Sequence, residues 1–135
     1  MAGNAKVRKY ARGDRIYVQA QRIWLILSSF VSSPLRKPGD PTTITYGQLA
    51  EHMGYDPRAG HTLGRQLGIV GYCCLENDLP ALNSIVVAAH GAPGPEVVLK
   101  RGRTVAQEQR AVRQQDWHSV GLPTTAMLRR VWEGM

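Results

Sequence analysis

The residues that could carry covalent or metal chemistry are few: Cys73, Cys74, His52, His61, His90 and His118. A cysteine becomes a nucleophile only as a thiolate, which needs a neighbouring base or cation at neutral pH. Cys73 and Cys74 stand among Ile69, Val70 and Leu75, apolar company that keeps a thiol protonated. No C-x-x-C or H-x-x-x-H spacing marks a metal site. Glu51, Asp56, Glu76 and Asp78 are dispersed, without the pairing that general acid–base work demands. Phosphate-binding glycine loops, nucleophile elbows and dinucleotide fingerprints are absent from the sequence. The residues predict a protein that is not an enzyme and takes no cofactor or metal.

What remains is the chemistry of cations. The formal charge is +7, with 17 Lys and Arg against 10 Asp and Glu. Its distribution matters more than its sum. Residues 1–22 carry six basic residues against Asp14 alone, residues 96–135 carry seven against four acids, and residues 23–95 are close to neutral. Basic ends on a neutral middle fit contact with nucleic acid, with an acidic protein partner, or simple solubility.

The elements that must position these charges can be read from periodicity. Residues 1–13 have no apolar repeat and read as a flexible basic arm, with Lys6, Arg8, Lys9 and Arg12 around Tyr10. From Asp14, residues Ile16, Ala20, Ile23, Trp24, Leu27, Phe30 and Val31 recur on one face of a helix. The proline-rich stretch SSPLRKPGDP ends it. Thr45-Tyr46-Gly47-Gln48 has the form of a capping box opening a second helix. Asp56-Pro57 turns the chain into a third helix, whose apolar stripe is Leu63, Leu67, Val70 and Cys74. Two helices separated by Gly-Tyr-Asp-Pro have the form of a helix-turn-helix. Ala81–Ala89 and Val97–Leu99, joined by HGAPGPE, predict a short β-hairpin or wing. Polar helical patterns follow at Thr104–Gln115 and from Pro123, with Trp117 and Trp132 as docking residues.

At 135 residues the chain fits one ordinary domain. Adjacent cysteines make no disulfide framework, so a reducing compartment is expected. The longest apolar run, Ile23–Leu27, is far too short to span a bilayer or to serve as a secretory signal. The expected location is the cytoplasm, without a membrane partner.

Residues Ile23 to Val98 resemble the DNA-binding domain of alkylguanine-DNA alkyltransferases and of their non-catalytic alkyltransferase-like relatives. The resemblance lies in Arg22–Leu27, in Thr45-Tyr46-Gly47-Gln48-Leu49-Ala50, similar to T-Y-G-x-L-A, and in Asp56–Gly64, similar to N-P-x-A-x-R-x-V-G. It implies an α+β, predominantly helical winged helix-turn-helix over residues 14–99. Residues 100–135 would be a basic helical extension packed on the same domain. The family's P-C-H-R-V segment is matched by Pro80–Val87, which has neither cysteine nor histidine, so alkyl transfer is not expected. The arginine that replaces an extruded base is matched by His61, a shorter side chain.

The candidate DNA-binding residues are therefore Tyr46, which the resemblance puts against phosphate, and Arg58, His61, Thr62, Arg65 and Gln66 in the first turns of the recognition helix. Lys100, Arg101 and Arg103 form a basic run beyond the expected wing. DNA is the favoured partner. The alternative is a protein-interaction module, such as a phage or mobile-element inhibitor of a host defence complex, or an accessory subunit of a nuclease system.

Overall fold

The computed structural model describes residues 12–100 and 102–134. Residues 1–11, most of the expected basic arm, and Arg101 lie outside the described residues. The fold is α+β and predominantly helical, with two short strands.

Helix α1 runs Arg15–Ser32 and buries Tyr17, Ala20, Ile23, Trp24 and Leu27, the stripe that three- and four-residue spacing dictates. Asp14 stands at its N-cap, with its carboxylate accepting from Arg129 of the last helix. At the other end Ser33 is extended, as a residue before proline must be, and the helix stops. Strand β1, Ile44–Thr45, leads directly into α2, Tyr46–His52. Here Thr45 and Gln48 close the expected capping box at 3.1 and 2.9 Å. Such a cap contributes about 1 kcal/mol.

After a turn at Gly54–Tyr55, Pro57–Thr62 form a 3-10 helix capped by Asp56, whose carboxylate accepts from the Arg58 N–H. Helix α3, Gly64–Glu76, then crosses the core and buries Leu67, Ile69, Val70, Cys73 and Cys74. Two contacts on these segments require glycine. A Cβ on Gly60 would lie 2.5 Å from the Tyr46 carbonyl oxygen and 2.9 Å from the Gly47 nitrogen. A Cβ on Gly71 would meet the Asn83 side-chain amide at 2.5 Å.

The expected hairpin is not formed by the described residues. Leu82–Ile85 coil into a 3-10 helix, which leaves only Val86–Val87 extended as strand β2. Strand β2 pairs in parallel with β1, Ile44 opposite Val86 and Thr45 opposite Val87. Among the described residues its antiparallel contact is a single bridge from Val87 to Pro93. Proline has no N–H to give a ladder, and Pro93 and Pro95 fall where a second strand would need donors. Val97–Leu99 consequently run as irregular chain.

Helix α4, Val105–Gln114, begins with a second capping box, Thr104 with Gln107. Of its side chains Val112 and Glu108 are buried, while Ala106 is exposed. Glu108 accepts from the Ala81 N–H at 2.7 Å and from Arg103 at 2.7 Å. Trp117 folds back under α4, donates its indole N–H to the Val112 carbonyl, and meets Trp24 edge-on at 5.7 Å. Helix α5, Thr125–Glu133, buries Leu128 and Val131 against the core that α1 and α3 share. Among the described residues no helix is long and apolar enough to cross a membrane.

Substituting the two glycines at the α2 crossing separates packing from propensity. A Gly60→Ala change must displace backbone and should cost about 1–3 kcal/mol. Gly47→Ala meets only ordinary contacts, 3.5 Å from Pro57, and should be neutral or stabilising by up to about 1 kcal/mol. Urea midpoints of the two variants check this; equal effects would contradict the close approach.

Candidate nucleic-acid interface

Pro57 and the Asp56 cap fix the direction in which the chain leaves α2, and the Gly60 contact presses this segment onto α2. The outward side of residues 57–65 is thereby left to polar side chains: Arg58, His61, Thr62 and Arg65 are all exposed. Of the residues expected in the first turns of the recognition helix, however, Arg58, His61 and Thr62 lie on the separate 3-10 helix before it, and Arg65 is in α3.

Each of the four has a defined donor or acceptor. The Arg58 side chain is 91 % exposed and folds onto Asp56 through Nε at 3.1 Å and Nη2 at 3.2 Å. The guanidinium holds the Asp56 carboxyl below its usual range through side-chain and backbone hydrogen bonds. An exposed pair of this kind contributes little and gives way readily to a phosphate. The Nδ1 of His61 faces the Arg58 carbonyl, which can only accept, so Nδ1 carries the proton and Nε2 faces outward. Thr62 donates its hydroxyl to the Ala59 carbonyl at 2.7 Å and retains its lone pairs for an outside donor. The Arg65 guanidinium stacks 5.5 Å above the Trp132 ring, which holds it against α5 with its edges free.

The other expected contact residues are differently employed. Gln66 does not face outward with Arg65: its amide donates to Gln19 on α1 at 2.9 Å, and it is part-buried. Tyr46 donates its hydroxyl to Glu96. Burial, that hydrogen bond and the Glu96 charge all push the Tyr46 phenol up, so it stays protonated. With a carboxylate at its tip, Tyr46 cannot approach a phosphate unless Glu96 moves away.

Nor do Lys100 and Arg103 form a free basic run. Lys100 pairs with Asp78 at 3.0 Å, and Arg103 closes on the buried Glu108 at 2.7 Å. Arg101 lies outside the described residues. The acids that claim Tyr46 and Arg103 were not singled out from sequence, because Glu96 is 50 residues from Tyr46 and Glu108, though near Arg103 in the chain, sits in a mostly polar helix. A single signal was legible: Glu108 falls on the apolar side of α4, four residues before Val112.

From Ala81 to Val87 the stretch matched to the alkyltransferase nucleophile is buried. Asn83 and Ser84 are fully buried, and the Asn83 amide is wedged between Gly71 and the Glu96 carbonyl. The thiols are free and buried. Burial pushes Cys74 up to about 12, and Cys73 is raised by burial and by Glu76 against an opposing bond from Asn77. Among the described residues no three His, Cys, Asp or Glu gather as a metal-binding group.

Compared with known protein families, with curated proteins and with solved structures, the chain has no match.

The thiol environment gives a direct check. With both thiols held protonated, iodoacetamide at mildly alkaline pH should leave Cys73 and Cys74 unmodified in the folded protein, and modify both in guanidinium chloride. Intact-mass spectrometry reads the result; rapid labelling of the native state would mean that α3 is not packed as described.

Proposed function

We propose that this chain is a non-catalytic DNA-binding protein, a winged helix-turn-helix related to the alkyltransferase-like proteins but without alkyl transfer. The observation that carries the reading is the exposure of Arg58, His61 and Thr62 on the 3-10 helix before α3, and of Arg65 in the first turn of α3. Arginine forks suit guanine edges and phosphate, and the Thr62 lone pairs and His61 Nε2 can accept from base amino groups. In this reading α2 and the segment from Pro57 form the helix-turn-helix, and the turn at residues 88–93 is a reduced wing. Gln66, Lys100 and Arg103, tied to Gln19, Asp78 and Glu108, do not belong to the contact set. Two free, buried thiols suit a reducing cytoplasm.

A second reading, a protein-interaction module, is favoured by one observation. Leu25 and Leu35, 54 % and 83 % exposed, line a groove of about 580 Å³ together with Ile26, Phe30 and Pro41. Exposed apolar area of this kind suits a partner surface.

Fluorescence anisotropy with labelled duplex DNA separates the two. On the DNA reading, affinity falls steeply with salt, and Arg58→Ala and Arg65→Ala each cost about 1–3 kcal/mol of binding. Absence of binding at low ionic strength overturns it. A stoichiometric protein partner that survives nuclease treatment and is lost on Leu25→Asp supports the second reading.

A further inference from the structure

Beside the Arg58–Arg65 surface, the outer edge of α1 carries a second cationic group that neither periodicity nor resemblance singles out. Arg15, Gln19 and Arg22 lie at successive turns of one helix face and converge on Tyr55, in the turn after α2. Two amides set the hydrogen-bond direction. Gln66 donates to Gln19 at 2.9 Å, and Gln19 donates to the Tyr55 hydroxyl oxygen at 3.0 Å. Because that oxygen already accepts from inside the protein, the phenol proton points away from it and is available to an external acceptor.

The charges around the phenol have one sign. The Arg22 guanidinium lies 6.0 Å from the Tyr55 ring centroid and donates to the Met53 carbonyl at 2.8 Å, which pins it beside the turn. The bond from Gln19 lowers the Tyr55 pKa most; burial opposes it, and the charges of Arg22 and Arg15 lower it further. No carboxylate is among the groups acting on this phenol. The neighbouring Asp56 is gripped by Arg58.

We propose that Arg15, Tyr55 and Arg22 form a clamp for the phosphodiester backbone of a nucleic acid, with Gln19 and Gln66 as positioning residues. A polymer fits better than a lone phosphate. The two arginines are two helical turns apart, about 10 Å along the axis, whereas duplex DNA offers a negative charge every ~1.7 Å. Tyr55 directly precedes Asp56, the cap of the 3-10 helix that carries Arg58, so in the chain the clamp leads into that segment. The inference rests on the DNA-binding reading and assigns a different part to these residues: α1 grips the backbone, and the segment from Arg58 to Arg65 meets the bases.

Anisotropy titrations with two duplexes of unrelated sequence, across a range of salt, test the clamp on the full chain. Removing a phosphate contact lowers affinity equally for both duplexes and reduces the salt slope, by about 0.9 per lost charge. Arg15→Gln should do both. Tyr55→Phe removes a neutral donor, so it should weaken both duplexes about three- to tenfold with the slope unchanged. Arg22 also supports the end of α2, so Arg15→Gln and Tyr55→Phe carry the test, with thermal midpoints as a folding control. A purely structural role would lower the midpoint without changing the slope. If wild type binds and both variants keep its affinity and slope, the clamp is overturned while the DNA reading stands. If wild type binds neither duplex at low salt, both fall.

Discussion

The arrangement depends on a backbone contact without side chains: Gly60 lying directly on the Tyr46–Gly47 peptide. Protein interiors tolerate almost no misfit, and a methyl group there would have to occupy space that a carbonyl oxygen already fills. The contact sets the distance between α2 and the Pro57–Thr62 turn, and through it the angle at which α3 enters the core. On the inner side this brings Leu63 and Leu67 onto the α1 stripe. On the outer side it pushes Arg58, His61 and Thr62 into solvent. Core packing and a polar surface are thus two faces of one steric condition. Gly71 repeats the device one layer deeper, where the Asn83 amide rests on α3.

Charge is sorted just as strictly. A basic chain invites the assumption that every cation is free for an anion, but its few acids are placed to engage particular ones. Glu108 is sunk beneath α4, where it holds Arg103 and the Ala81 backbone together. Asp14 engages Arg129, joining the two ends of the described fold. Asp78 faces Lys100 across the surface. These pairs fix segments that have few apolar residues, as in α4, whose only fully apolar buried residue is Val112. Among the described residues, the cations outside ion pairs are spread over α1 (Arg15, Arg22), the loop after it (Arg36, Lys37), α3 (Arg65), α4 (Arg110, Arg113) and α5 (Arg130), so their position, rather than net charge, must choose between surfaces.

Much of the helical framework was legible in the sequence, for physical reasons. The stripe from Ile16 to Leu27 has a period no strand could satisfy, and Thr45 with Gln48 can close a capping box in only one local geometry. Pro57 after Asp56 marks a helix start because both residues lose nothing there. The strands were misread because Ile85, Val86 and Val87 are β-branched whether they pair with a hairpin partner or with a distant segment. Periodicity reports a buried extended chain, not its neighbour, and the neighbour is Ile44–Thr45. The surface was the least legible part. Gln66 and Arg65 are adjacent and equally polar, yet Gln19 draws one of them inward. Tyr55 reads as an ordinary turn residue until Arg15 and Arg22, remote in sequence, are brought beside it.

The pairing of Asp14 with Arg129 spans a sequence separation of 115 residues, and α5 lies on the same side of α1. Arg129 of α5 also lies 4.7 Å over the Tyr17 ring, so the first turns of α1 are closed by a helix more than a hundred residues later in the chain. Contacts of such long range carry a large loop-closure cost and form late. The opening of α1 is thus completed by a helix from the far end of the described chain.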